Sequence, residues 1–176
     1  MFILSKFAGK LFKTGLIILI FISLSLISPE AGLSAEEGAF PGDLAPDFNL
    51  QVLNQEEEFA LHQTEEEYIL LNFWTTWCPA CQEEMPELQQ LHEEHGDEIT
   101  VLAVNVGQSA SEVREYIEEA GFNFTVLLDE NQDVANQYLV RGVPTTFVIN
   151  EENIIQERHV GPMDYNQKLE LLNITE

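Results

Sequence analysis

The chain has 176 residues, of which 45% are apolar and 10% aromatic. This is enough apolar material for one domain with a real core, so the composition excludes a disordered chain. From residue 30 onward, four basic residues accompany all 31 acidic ones, which gives this part a formal charge of −27. Such a charge repels phosphate backbones and anionic headgroups, and it argues against a nucleic-acid partner.

The first 29 residues have the pattern of a targeting segment. Residues 1–13 contain three lysines and no acid, and the uncharged, mostly apolar run of residues 14–28 follows them. This pattern predicts a secretory signal or a membrane anchor. The positive-inside rule then places the rest of the chain outside the cytoplasm.

Two features favour an uncleaved signal-anchor over residues 1–29. The apolar run is shorter than the ~20 residues of a spanning helix, but flanking lysines can snorkel and let the helix begin earlier. Leu33 also fits poorly at the −3 position of a small-residue cleavage site. We predict a single-pass anchor in the cell membrane and a tether over residues 30–42, with cleavage and secretion as the alternative.

Strand and helix signals alternate over residues 43–176, which predicts an α/β domain with a sheet flanked by helices. The continuous apolar run at 68–74 is typical of a strand buried on both faces. The predicted order is a hairpin (48–53 and 59–61), a strand (68–74), a helix (78–95), a strand (101–106), a helix (to 120), a strand (124–128), a short helix (134–138), a hairpin (145–149 and 154–160) and a last helix (164–172).

The chain has two cysteines, Cys78 and Cys81, and they stand between the buried strand and the first long helix. Free amide donors and the dipole at a helix N-terminus stabilise a thiolate, so Cys78 is predicted to attack a substrate disulfide. One helical turn brings the two sulfurs together, and Cys81 is predicted to resolve the mixed disulfide. Without a third cysteine, the pair favours a bond that cycles.

Two structural interpretations compete with this one. A permanent Cys78–Cys81 bond would close a very small loop and constrain little. A zinc site that includes His92 and His95 has the ligand order of a zinc finger, but on one helix His92 would lie roughly 16 Å beyond Cys81. That separation is too large for zinc bonds of about 2.0 to 2.3 Å. We therefore predict neither a metal nor another cofactor.

Three further motifs surround the pair. They are Trp74-Thr75-Thr76-Trp77 before Cys78, Glu84-Met85-Pro86 after Cys81, and Gly142-Val143-Pro144-Thr145. Together with the leading Ala45-Pro46-Asp47-Phe48, they resemble thioredoxin-fold oxidoreductases of the TlpA/ResA-like branch, and the resemblance covers about residues 40–172. It implies a thioredoxin fold, a central mixed β-sheet flanked by helices, with an N-terminal β-hairpin and a β-α-β-type insertion. It also implies thiol-disulfide oxidoreductase activity.

The resemblance implies how a substrate is held. Pro144 matches the cis-proline of the fold, which would lie beside Cys78, and Val143 would offer its backbone to a bound peptide. A trans proline in a simple turn is the alternative. Trp77 would shield the disulfide and contact partners, whereas Trp74 is expected in the core.

Glu84 follows Cys81 by one helical turn, and in the resembled family an acid at this place tunes the active-site thiols. Asn72 stands where ordinary thioredoxins carry a buried aspartate. Proton exchange with Cys81 would then involve Glu84 or water. The alternative is an exposed glutamate without a role.

Charge near Cys78 bears on the direction of electron flow. Strong oxidants have a thiolate of very low pKa, whereas the acids at 83, 84 and 87 disfavour added negative charge. We therefore predict a reductant of protein disulfides. Such a tethered reductant resembles proteins that reduce apocytochrome c before haem attachment, supplied with electrons by a membrane thiol carrier of the CcdA kind.

Three other functions stay open. The first is a disulfide-forming oxidase with the same fold. The second is a thiol peroxidase, indicated by the Ala45-Pro46-Asp47-Phe48 opening and by Thr75-x-x-Cys78, although Leu71 stands where that pattern has a proline. The third is a binding module that uses the acidic surface as a scaffold. In each case we expect a monomer.

Overall fold

A computed structural model of the chain describes residues 35–63 and 68–174. The predicted signal-anchor over residues 1–29 lies outside the described residues. Within the described ranges, no helix combines the length and the apolar character needed to cross a bilayer.

The described residues form seven strands and four α-helices. In chain order they are β1 (Asn49–Val52), β2 (Glu58–Ala60), β3 (Tyr68–Trp74), α1 (Pro79–His95), β4 (Ile99–Val106), α2 (Ala110–Ala120), β5 (Thr125–Asp129), α3 (Asp133–Gln137), β6 (Thr145–Asn150), β7 (Ile155–Val160) and α4 (Tyr165–Leu171), with a 3-10 turn at Leu61–Gln63 after β2. The predicted element types are confirmed throughout. The largest shift is in β4, which begins two residues early because Ile99 pairs with Tyr68.

The strands form one mixed sheet in the order β2-β1-β5-β4-β3-β6-β7. The three central strands β5, β4 and β3 are parallel, whereas the pairs β1-β2, β1-β5, β3-β6 and β6-β7 are antiparallel. Since β3 has neighbours on both sides and is buried over all but its first residue, its apolar run is explained. The sheet confirms the predicted fold, with its N-terminal hairpin and a β4-α2-β5 unit.

Short polar signals fix the ends of the helices. The Ser109 amide donates to the Glu112 carboxylate at 3.1 Å at the start of α2, and Gly121 ends that helix in the left-handed region at φ 75°. At the start of α4, the Asp164 carboxylate accepts from the Gln167 amide at 2.8 Å, and the Gln167 side chain accepts from the Asp164 amide at 2.9 Å. These two reciprocal hydrogen bonds form a capping box, which fixes where α4 begins.

Residues alternate between two cores, one on each face of the sheet, because successive side chains of a strand point to opposite faces. The disulfide-side core contains Leu70, Trp74, Cys78, Cys81, Met85, Leu88, Val101, Val148, Leu169 and Leu172 among others. The aromatic core contains Phe48, Phe73, Val104, Tyr138, Phe147 and Ile149 among others. The cysteines therefore lie on the face that α1 and α4 cover.

The segment before the predicted domain start also contacts the domain. Leu44 pairs with Glu37 and with Ile154 as isolated bridges, and the Ala39 side chain is buried. The predicted boundary between tether and domain at residue 43 stays a prediction.

Candidate active site

Cys78 and Cys81 are joined by a disulfide, with their Cα atoms 5.2 Å apart. Cys78 is the N-cap residue of α1 and has an extended backbone, and Pro79 opens the helix. Proline suits that position because its missing amide would have no partner there. The Cys81 amide donates to the Cys78 sulfur at 3.2 Å. A donor of the first helical turn thus points at the sulfur that is predicted to become a thiolate.

The surroundings of the two sulfurs differ. The residue exposure of Cys78 is 6% and that of Cys81 is 1%. Beside Cys78, the Trp77 side chain is 69% exposed, whereas Trp74 is fully buried. Cys78 is thus the more accessible of the two cysteines, and it adjoins an exposed aromatic side chain.

The loop before β6 brings a distant part of the chain to the disulfide. The Val143–Pro144 peptide bond is cis. The Val143 carbonyl oxygen lies 3.7 Å from the Cys78 sulfur, across 65 positions of sequence. Because that sulfur carries no proton in the disulfide, this is a van der Waals contact. The Pro144 carbonyl accepts from the Gly161 amide at 2.9 Å, which ties the loop to the end of β7.

The turn between β3 and α1 is held by a residue that the sequence does not reveal. The Gln108 side chain accepts from the Thr76 amide and donates to the Thr76 hydroxyl, both at 2.8 Å. The Asn105 amide group donates to the same Gln108 oxygen at 3.1 Å. These hydrogen bonds fix Thr76, the residue next to Trp77. No motif of the sequence marks Gln108, since it belongs to an ordinary connection between β4 and α2.

A buried ion pair lies one helical turn after Cys81. The residue exposure of Glu84 is 2% and that of Lys168 is 0%. The Lys168 ammonium lies 3.2 Å from the Glu84 carboxylate and also donates to the Met163 carbonyl. The exposed-glutamate interpretation of Glu84 is therefore wrong, because the side chain points into the core toward α4.

Burial and charge act in opposite directions on this pair. Burial raises the pKa of the Glu84 carboxyl, and the neighbouring Lys168 ammonium opposes that rise. Burial lowers the pKa of the Lys168 ammonium, and Glu84 opposes that fall. Each charge thus lowers the free-energy cost of burying the other.

Asn72 connects the pair to the loop that carries the cis-proline. Its amide nitrogen donates to the Thr146 hydroxyl at 2.9 Å and lies 3.5 Å from the Glu84 carboxylate. Thr146 is the cross-strand partner of Asn72 and follows Pro144 by two residues. One oxygen of Asn72 and one of Glu84 are buried without a hydrogen-bond partner among the described residues. The network therefore retains unused acceptors.

Lys168 is a site residue that the sequence-based interpretation missed, although a signal was present. It is the sole lysine after residue 13. It also lies on the same helical stripe as Tyr165, Leu169 and Leu172, where the other residues are apolar. A lysine inside an apolar stripe indicates a buried cation that needs a carboxylate.

Among the predicted site residues, the structure brings Cys78, Cys81, Val143, Pro144 and Trp77 together at the end of β3, and it places Glu84 in the core behind them. A cysteine pair at a helix N-terminus, opposite a cis-proline loop on this sheet, belongs to the thioredoxin-fold oxidoreductases. These proteins exchange electrons between thiols and disulfides.

Comparison with known proteins agrees with this class. Residues 41–158 match the AhpC/TSA family. The thioredoxin-like protein YneN of Bacillus subtilis (strain 168) is 37% identical over 142 residues, which cover 77% of this chain and 82% of that protein. The thiol-disulfide oxidoreductase ResA of Geobacillus thermodenitrificans (strain NG80-2) is 38% identical over 135 residues, which cover 73% of this chain and 76% of that protein.

Solved structures give the same result. StoA from Bacillus subtilis is similar with a TM-score of 0.64 and 27% identity, over 76% of this chain and 98% of that one. The exposed lipoprotein thioredoxin Etrx1 of Streptococcus pneumoniae strain TIGR4 is similar with a TM-score of 0.64 and 25% identity, over 74% of this chain and 100% of that one. The chain belongs to the AhpC/TSA family and, within it, to the ResA-like thiol-disulfide oxidoreductases.

Proposed function

We propose that this chain reduces disulfide bonds of proteins outside the cytoplasm, with Cys78 as the nucleophile and Cys81 as the resolving thiol. The observation that carries the proposal is the position of the Cys78 sulfur. It lies at the N-terminus of α1, nearer the surface than Cys81, and against the Val143 carbonyl. An approaching disulfide would meet this sulfur first.

The reaction balances as two successive exchanges. In the reduced chain, the Cys78 thiolate attacks one sulfur of the substrate disulfide, and the other substrate sulfur leaves as a thiolate that takes up a proton. The Cys81 thiol then loses its proton and attacks the Cys78 sulfur, so the second substrate sulfur leaves and is protonated. The substrate gains two electrons and two protons, and the chain is left with the Cys78–Cys81 disulfide. A dithiol donor reverses this change.

An extended substrate peptide would bind along the cis-proline loop. Val143 is half-buried, and its amide has no hydrogen-bond partner among the described residues. A peptide strand would therefore pair with its backbone, as in strand addition at a sheet edge. Trp77 and Val160 are 69% and 65% exposed and offer apolar surface near this loop. Contacts of this kind recognise an unfolded or extended segment better than a folded surface.

The charge around the site supports a reductant. Lys168 compensates Glu84, but Glu83 is exposed and Glu87 half-exposed on the same helix, in a domain that is strongly acidic. These carboxylates disfavour a thiolate, whereas a strong oxidant needs its reduced form stabilised. The reduced pair would thus give up its electrons readily.

Within this proposal, the substrate is apocytochrome c and the electron donor is a membrane thiol carrier of the CcdA kind. Residues 1–29 act as a single-pass anchor that holds the domain outside the cell membrane, and the domain works as a monomer. Support comes from the lysine-rich and apolar pattern of these residues, from the TlpA/ResA-like motifs, and from the similarity to Etrx1, an exposed lipoprotein thioredoxin.

The first test measures reductase activity on a protein disulfide, such as that of insulin, with the full chain. We expect the Cys78→Ser variant to lose turnover completely, because the remaining cysteine, Cys81, is 1% exposed and cannot reach a substrate disulfide. The Cys81→Ser variant should instead accumulate a stable mixed disulfide with the substrate. Reductase activity that persists in Cys78→Ser would contradict the role of Cys78, and full activity of that variant in the cell would favour the binding module instead.

The second test decides the direction and the substrate. We expect a redox potential near or below about −250 mV, close to thioredoxin's ~−270 mV. A value above about −150 mV, toward the ~−120 mV of a strong oxidant, would instead make the chain a disulfide-forming enzyme. With an oxidised Cys-x-x-Cys-His peptide, the signature of c-type haem attachment, we expect faster reduction than with a Cys-x-x-Cys-Ala control. Equal rates would argue against the apocytochrome substrate.

A further inference from the structure

A buried ion pair, Glu84 and Lys168, joins α1 to α4. Lys168 is fully buried, and its ammonium has two acceptors, the Glu84 carboxylate at 3.2 Å and the Met163 carbonyl. A buried pair of this kind is on average no more stabilising than two apolar side chains of the same size. Its retention beside the disulfide therefore needs another reason.

We propose that Lys168 is a positioning residue of the disulfide centre, which holds Glu84 as the ionised acceptor of the proton that Cys81 releases. The inference rests on the proposed function. It assigns a role to a residue of α4, more than 80 positions after the cysteines in the sequence.

The architecture places Lys168 for this role. The capping box of Asp164 and Gln167 fixes the start of α4, and Leu169 and Leu172 anchor the helix in the disulfide-side core. Lys168 lies on the same helical stripe as Leu169 and Leu172 and is therefore carried into the same core. Glu84 follows Cys81 by three residues, about 4.5 Å along the axis of α1. The Lys168 ammonium thus contacts the Glu84 carboxylate inside the disulfide-side core.

Hydrogen bonding leaves Glu84 able to take up a proton. One carboxylate oxygen faces Lys168 and Asn72, while the other is buried and makes no hydrogen bond of good geometry among the described residues. The Met163 amide is close enough to lower the pKa of the carboxyl group. An unpaired buried acceptor is costly, and it becomes satisfied when it binds a proton or a water molecule. The free oxygen is therefore the place for the proton, and the oxygen at Lys168 holds the side chain in position.

The charges around Glu84 show why the cation is needed. Lys168 and Asp164 belong to α4, and Glu87 belongs to α1. The neighbours from β3 and β6, Asn72 and Thr146, are neutral. Burial and Glu87 favour the protonated form of Glu84, whereas Lys168 favours the ionised form. Removing Lys168 would therefore raise the pKa of the Glu84 carboxyl further and shift the group toward its protonated form, which cannot accept a proton from Cys81.

The proton movement completes the second exchange. Cys81 gives its proton to Glu84, and its electron pair forms the bond to the Cys78 sulfur as the bond from Cys78 to the substrate sulfur breaks. The departing substrate thiolate takes this proton from Glu84, directly or through a water molecule. Glu84 is thereby ionised again, so no additional reactant is consumed.

The test compares pH profiles of insulin reduction by the full chain and its variants. In Lys168→Met we expect turnover at neutral pH to fall by about tenfold or more, since positioned proton transfer contributes 10²- to 10⁴-fold in enzymes. The acid limb of the profile should move to higher pH. Lys168→Arg keeps the cation and should keep the limb near its original position. In the Glu84→Gln background, Lys168→Met should change the profile no further.

Two results would overturn the inference. One is a folded Lys168→Met variant, as judged by circular dichroism, with the wild-type pH profile. The other is an equal effect of Lys168→Met with and without Glu84. If the wild-type chain reduces no disulfide at all, the proposed function fails instead, and the two failures are therefore distinguishable.

A measurement on the wild-type chain covers the case in which Lys168→Met does not fold. The chain has four lysines, three of them in residues 1–13, so selective ¹⁵N labelling of lysine gives few ammonium signals. We expect the signal that disappears in Lys168→Arg to shift when the disulfide is reduced. A signal that is identical in the oxidised and reduced chains over the whole active pH range would refute the inference.

Discussion

The two faces of the central sheet bury different chemistry. On the disulfide side, the core contains the Cys78–Cys81 disulfide together with Glu84, Lys168 and Asn72. On the other side, Tyr138 lies 5.2 Å from Phe147, 5.5 Å from Phe73 and 6.1 Å from Phe48, measured between ring centroids. The Tyr138 hydroxyl donates to the Pro46 carbonyl at 2.7 Å, so this core also satisfies its polar atom.

This difference separates stability from function. The edge-to-face and tilted rings of the aromatic core stabilise the sheet. Its charged neighbours form no buried ion pair among the described residues: the Arg158 guanidinium lies 5.3 Å from the Phe147 ring centroid, and the buried Asp129 carboxylate accepts from the Val134 and Ala135 amides. In the disulfide-side core, two charges depend on each other, and removing either leaves the other exposed to a medium of low dielectric. The aromatic core should therefore tolerate changes with a loss of stability alone, whereas changes in the ion pair should alter the redox chemistry as well.

The largest expected effect is on the ion pair. Removing one partner of a buried pair costs about 3 to 5 kcal/mol, because the remaining charge is left uncompensated. We expect Lys168→Met or Glu84→Gln alone to lower the free energy of unfolding by roughly this amount, as measured by urea titration. The double variant should lose clearly less than the sum of the two. A strictly additive double variant would show that the two groups do not stabilise each other.

Phe48→Ala is the matched change in the aromatic core. We expect a loss of about 3 kcal/mol, since truncating a buried phenylalanine removes its packing and leaves a cavity. The redox potential of the folded variant should stay at the wild-type value. The measurement pairs urea unfolding with equilibration in dithiothreitol buffers. A changed potential with normal folding would contradict the separation of the two faces.

Tyr138→Phe should have the smallest effect. It removes the hydroxyl that donates to Pro46 but keeps the ring, so the Pro46 carbonyl loses one partner. A hydrogen bond of this kind contributes about 0.5 to 1.5 kcal/mol. We expect a loss near 1 kcal/mol in thermal or urea unfolding and unchanged insulin reduction. A loss above about 3 kcal/mol would indicate that the substitution also disturbs the packing of the rings.

The order of the elements could be predicted from local patterns. The apolar run at 68–74 indicated a central strand, Ser109 and Glu112 indicated a helix start, and Gly121 indicated its end. These signals act within a few residues and therefore survive in a single sequence. Strand order is different, because β5 lies between β1 and β4 through contacts that no local pattern contains.

The candidate site was predictable to different degrees. Cys78 and Cys81 carry their chemistry in their spacing and in their place at a helix start. Val143 and Pro144 were found by the resemblance of their motif. Glu84 was found by the same route, but its burial was not, since a glutamate on an acidic helix gives the same pattern whether exposed or buried.

By itself, the sequence determined that a cysteine pair stands at the start of a helix in an acidic α/β domain. Only the tertiary structure decided that Lys168 of α4 meets Glu84, and that Gln108 holds the turn before Cys78. The physical reason lies in the range of the interactions. Helix ends and strand alternation depend on neighbours in the chain, whereas a buried ion pair depends on two helices docking on the same face of one sheet.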